Sequence, residues 1–181
     1  MNKSEQYNAT RETILGAANR VLAAKAAEGF TLEAVALEAG VSKGGLLYHF
    51  PSKKKLIEGM IALSISRIDA ALAEELEQSG GDYLTAYIRA SFRTAVEPEQ
   101  VSRAMMAATA NDPELLEPIR ARFERIHHEI TTLAPSPELG MLIRLCMDGL
   151  WYAQMYQFAP PSAELCERLQ ELLISTVGSS R

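Results

Sequence analysis

From Lys53 to about Gln78 the stretch KKKLIEGMIALSISRIDAALAEELEQ contains no proline and one glycine, and SGGD at Ser79–Asp82 then breaks it. Uninterrupted, it predicts a helix roughly 40 Å long at 1.5 Å per residue. Its apolar residues cover two sides: Ile57, Ile61, Ser64, Ile68 and Leu72 on one stripe, Leu56, Met60 and Leu63 on another. A helix apolar on two sides must touch neighbours on two sides. Those neighbours are helices too, because no β-branched run with period two occurs anywhere in the chain. The expected fold is therefore all-α.

Three short helices precede the long one. Ile14, Ala18, Val21 and Leu22 recur at helical spacing over about Thr10 to Ala26, and Gly29 ends that helix. Thr31 is the expected N-cap of a second, with Glu33 in its first turn and Leu32, Val35, Ala36 and Ala39 as its buried stripe. After the Gly40-Val41 turn, Ser42 caps a very short third helix that Phe50-Pro51 stops, and Ser52 caps the long fourth. Five more helices are expected at about Tyr83–Val96, Pro98–Ala110, Glu114–Leu133, Pro137–Phe158 and Ala163–Val177, making about nine. Asp82, Pro98, Asp112-Pro113 and Ser162 mark their starts. The organisation is a small N-terminal bundle, residues 1–55, joined by the long helix to a larger helical domain, residues 56–181.

Charge separates the two parts. The net charge of −5 divides into +2 over residues 1–60 and −7 over residues 61–181, which suggests that only the first part meets an anion. Cys146 and Cys166 lie in helical patterns without metal-ligand spacing and read as reduced, buried thiols of a cytoplasmic protein. The most apolar stretch, Leu139 to Phe158, contains Arg144, Asp148, Gln154 and Gln157, which argues against a membrane span. The N-terminus has no signal-peptide pattern.

The anion is suggested by SKGGLLYHFPSKKKL, Ser42 to Leu56, which holds four lysines and no carboxylate. Lys53, Lys54 and Lys55 crowd a helix N-terminus, where cations are unfavourable. Either they form a solvated face, or a phosphate sits there and receives backbone N–H groups, Ser52 and lysines together. Gly44 and Gly45 each cost about 1 kcal/mol against Ala inside a helix. Either that helix is poor and held by its surroundings, or a bare backbone lets it approach a sugar-phosphate wall. Helix, glycine turn, short helix is the helix-turn-helix pattern, whose second helix enters the DNA major groove.

The stretch TLEAVALEAGVSKGGLLYHFPSKKKLIEGM, Thr31 to Met60, resembles the DNA-binding region of the tetracycline-repressor (TetR) family of transcriptional regulators. Ser42, Gly44, Leu46, His49, Phe50, Ser52, Lys53 and Leu56 match the family pattern in place. Leu47 departs from it, standing where the family often has a phosphate-contacting tyrosine, with Tyr48 beside it. The resemblance implies that Ser42 and Lys43 open the recognition helix and that Gly44 and Gly45 face the groove. It implies further that Tyr48 and His49 reach backbone or bases, that Lys53, with Lys54 beside it, binds phosphate, and that Thr31 offers a hydroxyl to a neighbouring phosphate. With glycines at two groove-facing positions, Lys43 and Tyr48 are expected to carry much of the direct readout, and DNA shape more than usual.

One helix-turn-helix has too few contacts for secure binding, and a two-fold dimer reading two half-sites supplies the rest. The eighth and ninth helices are the expected dimer face. The eighth is apolar almost all round, which implies burial on every side, and Gly140 and Gly149 allow close helix approach. Tyr87, Phe92, Met105, Met106, Phe123, His127, Met147 and Trp151 read either as core or, as the TetR resemblance implies, as the lining of a site for a small-molecule effector. The effector would act by linkage, with Gly59 letting the long helix bend. The leading expectation is thus a dimeric repressor on a palindromic double-stranded operator, released by a small molecule. The alternative is a DNA-bound activator or architectural protein without an effector. An enzyme is not expected, nor a cofactor or metal: the adjacent His127 and His128 point about 100° apart on a helix and do not chelate together.

Overall fold

The structure is a computed structural model that describes residues 3–25, 29–95 and 112–179. Its elements are α1 (Lys3–Lys25), α2 (Leu32–Ala39), α3 (Lys43–His49), α4 (Lys53–Gln78), α5 (Tyr83–Ala95), a 3₁₀ turn (Pro113–Leu116), α6 (Glu117–Leu133), α7 (Pro137–Tyr156) and α8 (Ala163–Ser179). The chain is all-α, and no strand occurs among the described residues. The helix expected over Pro98–Ala110 lies outside them.

The helix starts follow the caps. The hydroxyl oxygens of Thr31, Ser42 and Ser52 accept from the N–H of Ala34, Gly45 and Lys55 at 3.1, 3.0 and 3.1 Å, each satisfying a donor that the first helical turn leaves open. Ser136 and Ser162 cap α7 and α8 in the same way. Two boundaries differ from expectation. α1 begins at Lys3, not near Thr10, because its first two turns are polar and carry no buried stripe to betray them. The helix expected from Glu114 begins as a 3₁₀ turn and becomes α only at Glu117. Pro118 explains this: it has no N–H to donate to Glu114, and its ring is tolerated only in a first turn.

The described residues group into two compact units, 3–25, 29–64 and 112–118 in one and 65–95 and 119–179 in the other, with α4 continuing from the first into the second. The first unit is built around Ile14, Leu15, Phe30, Val35, Leu46, Phe50, Leu56, Ile57 and Met60, all buried. Ala36 of α2 is buried as well, which brings α3 close. Gly59 belongs to this core: a Cβ there would lie 2.6 Å from Phe50 Cε1 and 3.2 Å from Leu15 Cδ2. The second unit packs Leu84, Tyr87, Ile88 and Phe92 of α5 with Ile126 and Ile130 of α6, Ile143 and Met147 of α7, and Cys166 and Val177 of α8.

One expectation about α7, the burial of Cys146, is corrected, and the helix's burial on every side is not met within the single chain. Only part of its surface is covered within the chain: Gly140, Ile143 and Met147 are buried, while Leu142, Leu145, Tyr152 and Tyr156 are exposed. Cys146 is exposed on that open side, not buried, whereas Cys166 is buried as expected. The two glycines of α7 also part company. A Cβ on Gly140 would meet the Ile130 carbonyl oxygen at 2.9 Å, so this glycine serves a helix crossing inside the chain. Gly149 has nothing within 4 Å.

Candidate nucleic-acid interface

The turn between α2 and α3 depends on Gly40, which sits at φ 66. There its N–H donates to Leu37 and the Val41 N–H donates back to the Ala36 carbonyl at 3.0 Å, a C-cap geometry strained for a residue with a Cβ. Leu46 and Phe50 anchor α3 from below, at 0% and 2% exposure. Their burial decides which side of α3 faces out: Ser42, Lys43, Gly44 and Tyr48 are exposed, and Gly45, Leu47 and His49 are half-buried. Thr31 is exposed at the start of α2. The capping oxygens of Thr31 and Ser42 accept within the chain, and each hydroxyl still has its hydrogen to donate outward.

The two helical glycines are not equivalent. A Cβ on Gly45 would lie 3.3 Å from the Ser42 hydroxyl and 3.8 Å from Val41 Cβ, so the cap gives a local reason for glycine. A Cβ on Gly44 would find only the Ser42 hydroxyl, at 3.9 Å. No described neighbour demands a glycine at that position.

The lysines are not bare, although their own stretch holds no carboxylate. Lys43 Nζ lies 2.6 Å from Glu33 Oε1, Lys54 Nζ 2.5 Å from Asp112 Oδ2, and Lys55 Nζ 2.6 Å from Glu58 Oε2. Lys53 Nζ stands 5.4 Å from the centroid of the Phe30 ring. The hydrogen bond from Lys43 holds the Glu33 carboxyl below its ordinary range. The bond from Lys54 does the same for Asp112, and Asp112 in turn holds the Lys54 ammonium above its own. Exposed pairs of this kind add little to fold stability. They do mean that the field expected from four free lysines is largely cancelled by the protein's own carboxylates.

Tyr48 and His49 are braced from an unexpected direction. Tyr7, in the polar first turns of α1, places its ring 4.4 Å from His49 and 5.8 Å from Tyr48, and the latter two lie 5.2 Å apart. Arg11 stands 5.2 Å from the Phe50 ring centroid. Burial, and then the charge of Arg11, hold His49 below its ordinary 6.5; its Nδ1 is buried without a hydrogen-bond partner. A histidine whose folded pKa lies below its unfolded one destabilises the fold as pH drops below the unfolded value. Thermal melts of the wild type are therefore expected to lose more stability from about pH 7 to pH 5 than melts of His49→Gln. Equal losses in both would show that this imidazole does not carry the acid sensitivity.

The residues expected to line an effector site divide. Phe92 and Met147 are buried core. Trp151 is half-buried, its ring 5.2 Å from that of the exposed Tyr152. Met105 and Met106 lie outside the described residues. His127 is half-buried with its Nδ1 buried and unpartnered, and Phe123 lies one turn before it, 5.8 Å below the Arg144 guanidinium. Tyr87 is buried, which pushes its phenol up to about 12. Asp148 adds to that shift, while Ser91, Arg144 and Arg122 oppose it. Arg144 and Asp148, one turn apart on α7, pair loosely at 3.5 Å, and burial still raises the Asp148 carboxyl. The structure thus gathers Tyr87, Phe123, Arg144, Asp148 and Arg122 from α5, α6 and α7. Arg122 is itself buried and bonded to Asp69 at 2.8 Å.

Nothing in the sequence pointed to Tyr7, Arg11 and Asp112 at the candidate interface or to Arg122 beside Tyr87, and Glu33 read only as a first-turn helix residue. Opposite charge near Lys43 was the one available signal, and it does not say which carboxylate arrives. Among the described residues no group of His, Cys, Asp or Glu is arranged to hold a metal, and no helix is long and apolar enough to cross a membrane.

The sequence model described as bacterial regulatory proteins, tetR family, matches residues 14–60, and the tetracyclin repressor-like C-terminal domain model matches residues 81–178. No curated protein sequence matches the chain. Among solved structures, a transcriptional regulator from Rhodococcus sp. Rha1 aligns with TM-score 0.71 at 24% identity, covering 92% of this chain and 95% of that one. The multidrug binding protein EbrR aligns when complexed with malachite green, at TM-score 0.66, 19% identity and coverage of 90% and 96%. It also aligns when complexed with imidazole, at 0.62, 24%, 92% and 94%. At these identities the structures establish the shared fold.

Proposed function

Since the chain belongs to the TetR family of transcriptional regulators, a family of regulators rather than enzymes, we propose that it is a dimeric, cytoplasmic repressor that binds a palindromic operator and leaves it when a small molecule binds. Residues 1–55 bind DNA in this reading, and residues 56–181 carry the effector site and the dimer face. Thr31, Ser42, Lys43, Gly44, Gly45, Tyr48, His49, Lys53 and Lys54 meet the duplex. Tyr87, Phe123, His127 and Trp151 remain the effector candidates among the described residues. EbrR, which shares the fold, is a multidrug binding protein seen with malachite green and with proflavin, which supports an aromatic effector lying against such residues.

The observation that carries the DNA assignment is Gly44. It is exposed, sits inside a helix, and no described neighbour requires it to lack a side chain. Alanine is preferred over glycine in a helix by up to about 1 kcal/mol, and a first-turn glycine of α3 that no described neighbour requires supports a groove wall lying against the backbone. Gly44→Ala is expected to raise the melting temperature and weaken operator binding together. Unchanged affinity in the more stable variant would remove this support.

The decisive experiment is selection of binding sites from random duplexes by the purified protein. A symmetric pair of half-sites is expected, with few strongly constrained positions in each. Recovery of asymmetric sites, or of none, would overturn the dimeric operator reading. Release of the selected duplex on titration with proflavin or malachite green would support an effector site, and binding that persists whatever small molecules are screened would favour an activator or architectural protein.

A further inference from the structure

Two of the three lysines expected at the duplex are already occupied. Lys43 and Lys54 each hold a carboxylate oxygen, at 2.6 and 2.5 Å, in the geometry a phosphate oxygen would take. Neither partner comes from the lysine's own stretch of chain. Glu33 lies in the first turn of α2, two residues from Thr31, so it stands on the side where a phosphate is expected to approach. Asp112 is fastened as well: its Oδ1 accepts from the Glu114 N–H at 3.1 Å and caps the 3₁₀ turn, leaving Oδ2 aimed at Lys54.

We infer that Glu33 and Asp112 are built-in competitors of phosphate, each holding a lysine that the nucleic-acid backbone must win, and that together they set how strongly this protein grips DNA of any sequence. The inference rests on the DNA-binding reading above and adds the residues that restrain it. When a phosphate takes Lys43 or Lys54, the released carboxylate is left uncompensated and gathers a cation from solution. That uptake offsets one of the counterions the duplex releases. Binding is weaker as a result, and its dependence on salt shallower than the number of lysines in contact would give.

The test is a double-mutant cycle read against ionic strength, with a labelled random-sequence duplex as the probe so that base readout plays no part. Glu33→Gln removes a charge from an exposed side chain, and Asp112→Asn keeps a capping oxygen while removing the charge, so both variants should melt as the wild type does. Each is expected to bind the duplex roughly threefold or more tighter at low salt, with a log–log salt slope steeper by about one. Lys43→Gln should cost more affinity in the Glu33→Gln background than in the wild type, and Lys54→Gln more in the Asp112→Asn background. Glu12→Gln, which removes an exposed carboxylate of α1, controls for overall charge. Additive cycles, or an equal gain from Glu12→Gln, would overturn the inference while leaving DNA binding intact. A wild type that binds no duplex at any salt would instead remove the DNA-binding reading, and this one with it.

Discussion

A variant carrying Leu142→Arg and Leu172→Arg is expected to sediment as a monomer and to bind a duplex with two half-sites roughly a hundredfold or more weaker than the wild type, the loss that follows when two linked binding events become separate. The reason lies in the outward faces of α7 and α8. Leu142, Leu145, Tyr152 and Tyr156 recur on one side of α7 at helical spacing, and Leu165 and Leu172 are exposed on α8; Leu142 and Leu172 are 55% and 60% exposed. Apolar side chains gathered in this way on a monomer surface mark an interaction site. Gly149, with open space around it on the same helix, leaves room for a partner's backbone. Neither leucine is needed by the chain's own core, so the substitutions should change monomer stability by no more than about 0.5 kcal/mol. Circular dichroism would check that the fold is kept, and sedimentation would read the association. A dimer that survives both arginines, or a wild type that is already monomeric, would exclude this face as the interface.

Gly140→Ala should destabilise the second unit even though alanine is the better helix former by about 1 kcal/mol. The added methyl would lie 2.9 Å from the Ile130 carbonyl oxygen, 3.0 Å from Thr131 Cα and 3.1 Å from Ala134 Cβ. Two of these are backbone atoms, which cannot rotate aside, so α7 must move away from the end of α6. Overpacking of this sort costs about 1–3 kcal/mol. A net loss of up to about 2 kcal/mol should lower the melting temperature by up to about 8 °C for a chain of this size. Gly178→Ala is the control, since a methyl there meets nothing within 4 Å, and it should be neutral or slightly stabilising. If both variants melt alike, the crossing at Gly140 is not as tight as the distances make it. Gly59→Ala should behave as Gly140→Ala does, through the buried Phe50 ring.

The parts of the candidate interface that could be read in advance are local. Thr31, Ser42 and Ser52 cap the helices expected of them, because a cap needs only a hydroxyl three residues before the N–H it accepts from. The helix-turn-helix was legible for the same reason: Gly40, a buried stripe at Leu46 and Phe50, and the stop at Pro51 all act over a few residues. Tyr7 was not legible. It is a single aromatic in a polar run, and no periodicity shows that its ring lies against His49. The effector candidates were legible only as residue types. Tyr87, Phe92 and Met147 all lie in the buried cluster of the second unit, Tyr87 with its phenol facing Arg144 and Asp148.

By itself, then, the sequence determined the helices, their order, the motif that links α2 to α3 and the long α4, all consequences of spacing and capping within a turn or two. The tertiary structure decided which lysines meet a carboxylate, which glycine is crowded and which is open, and which side of α7 stays uncovered. Lys54 and Asp112 are 58 residues apart, and Gly59 meets Leu15 from another helix. Such meetings depend on how far each helix is turned about its axis and how closely it crosses its neighbour, quantities that no short-range pattern of residues carries.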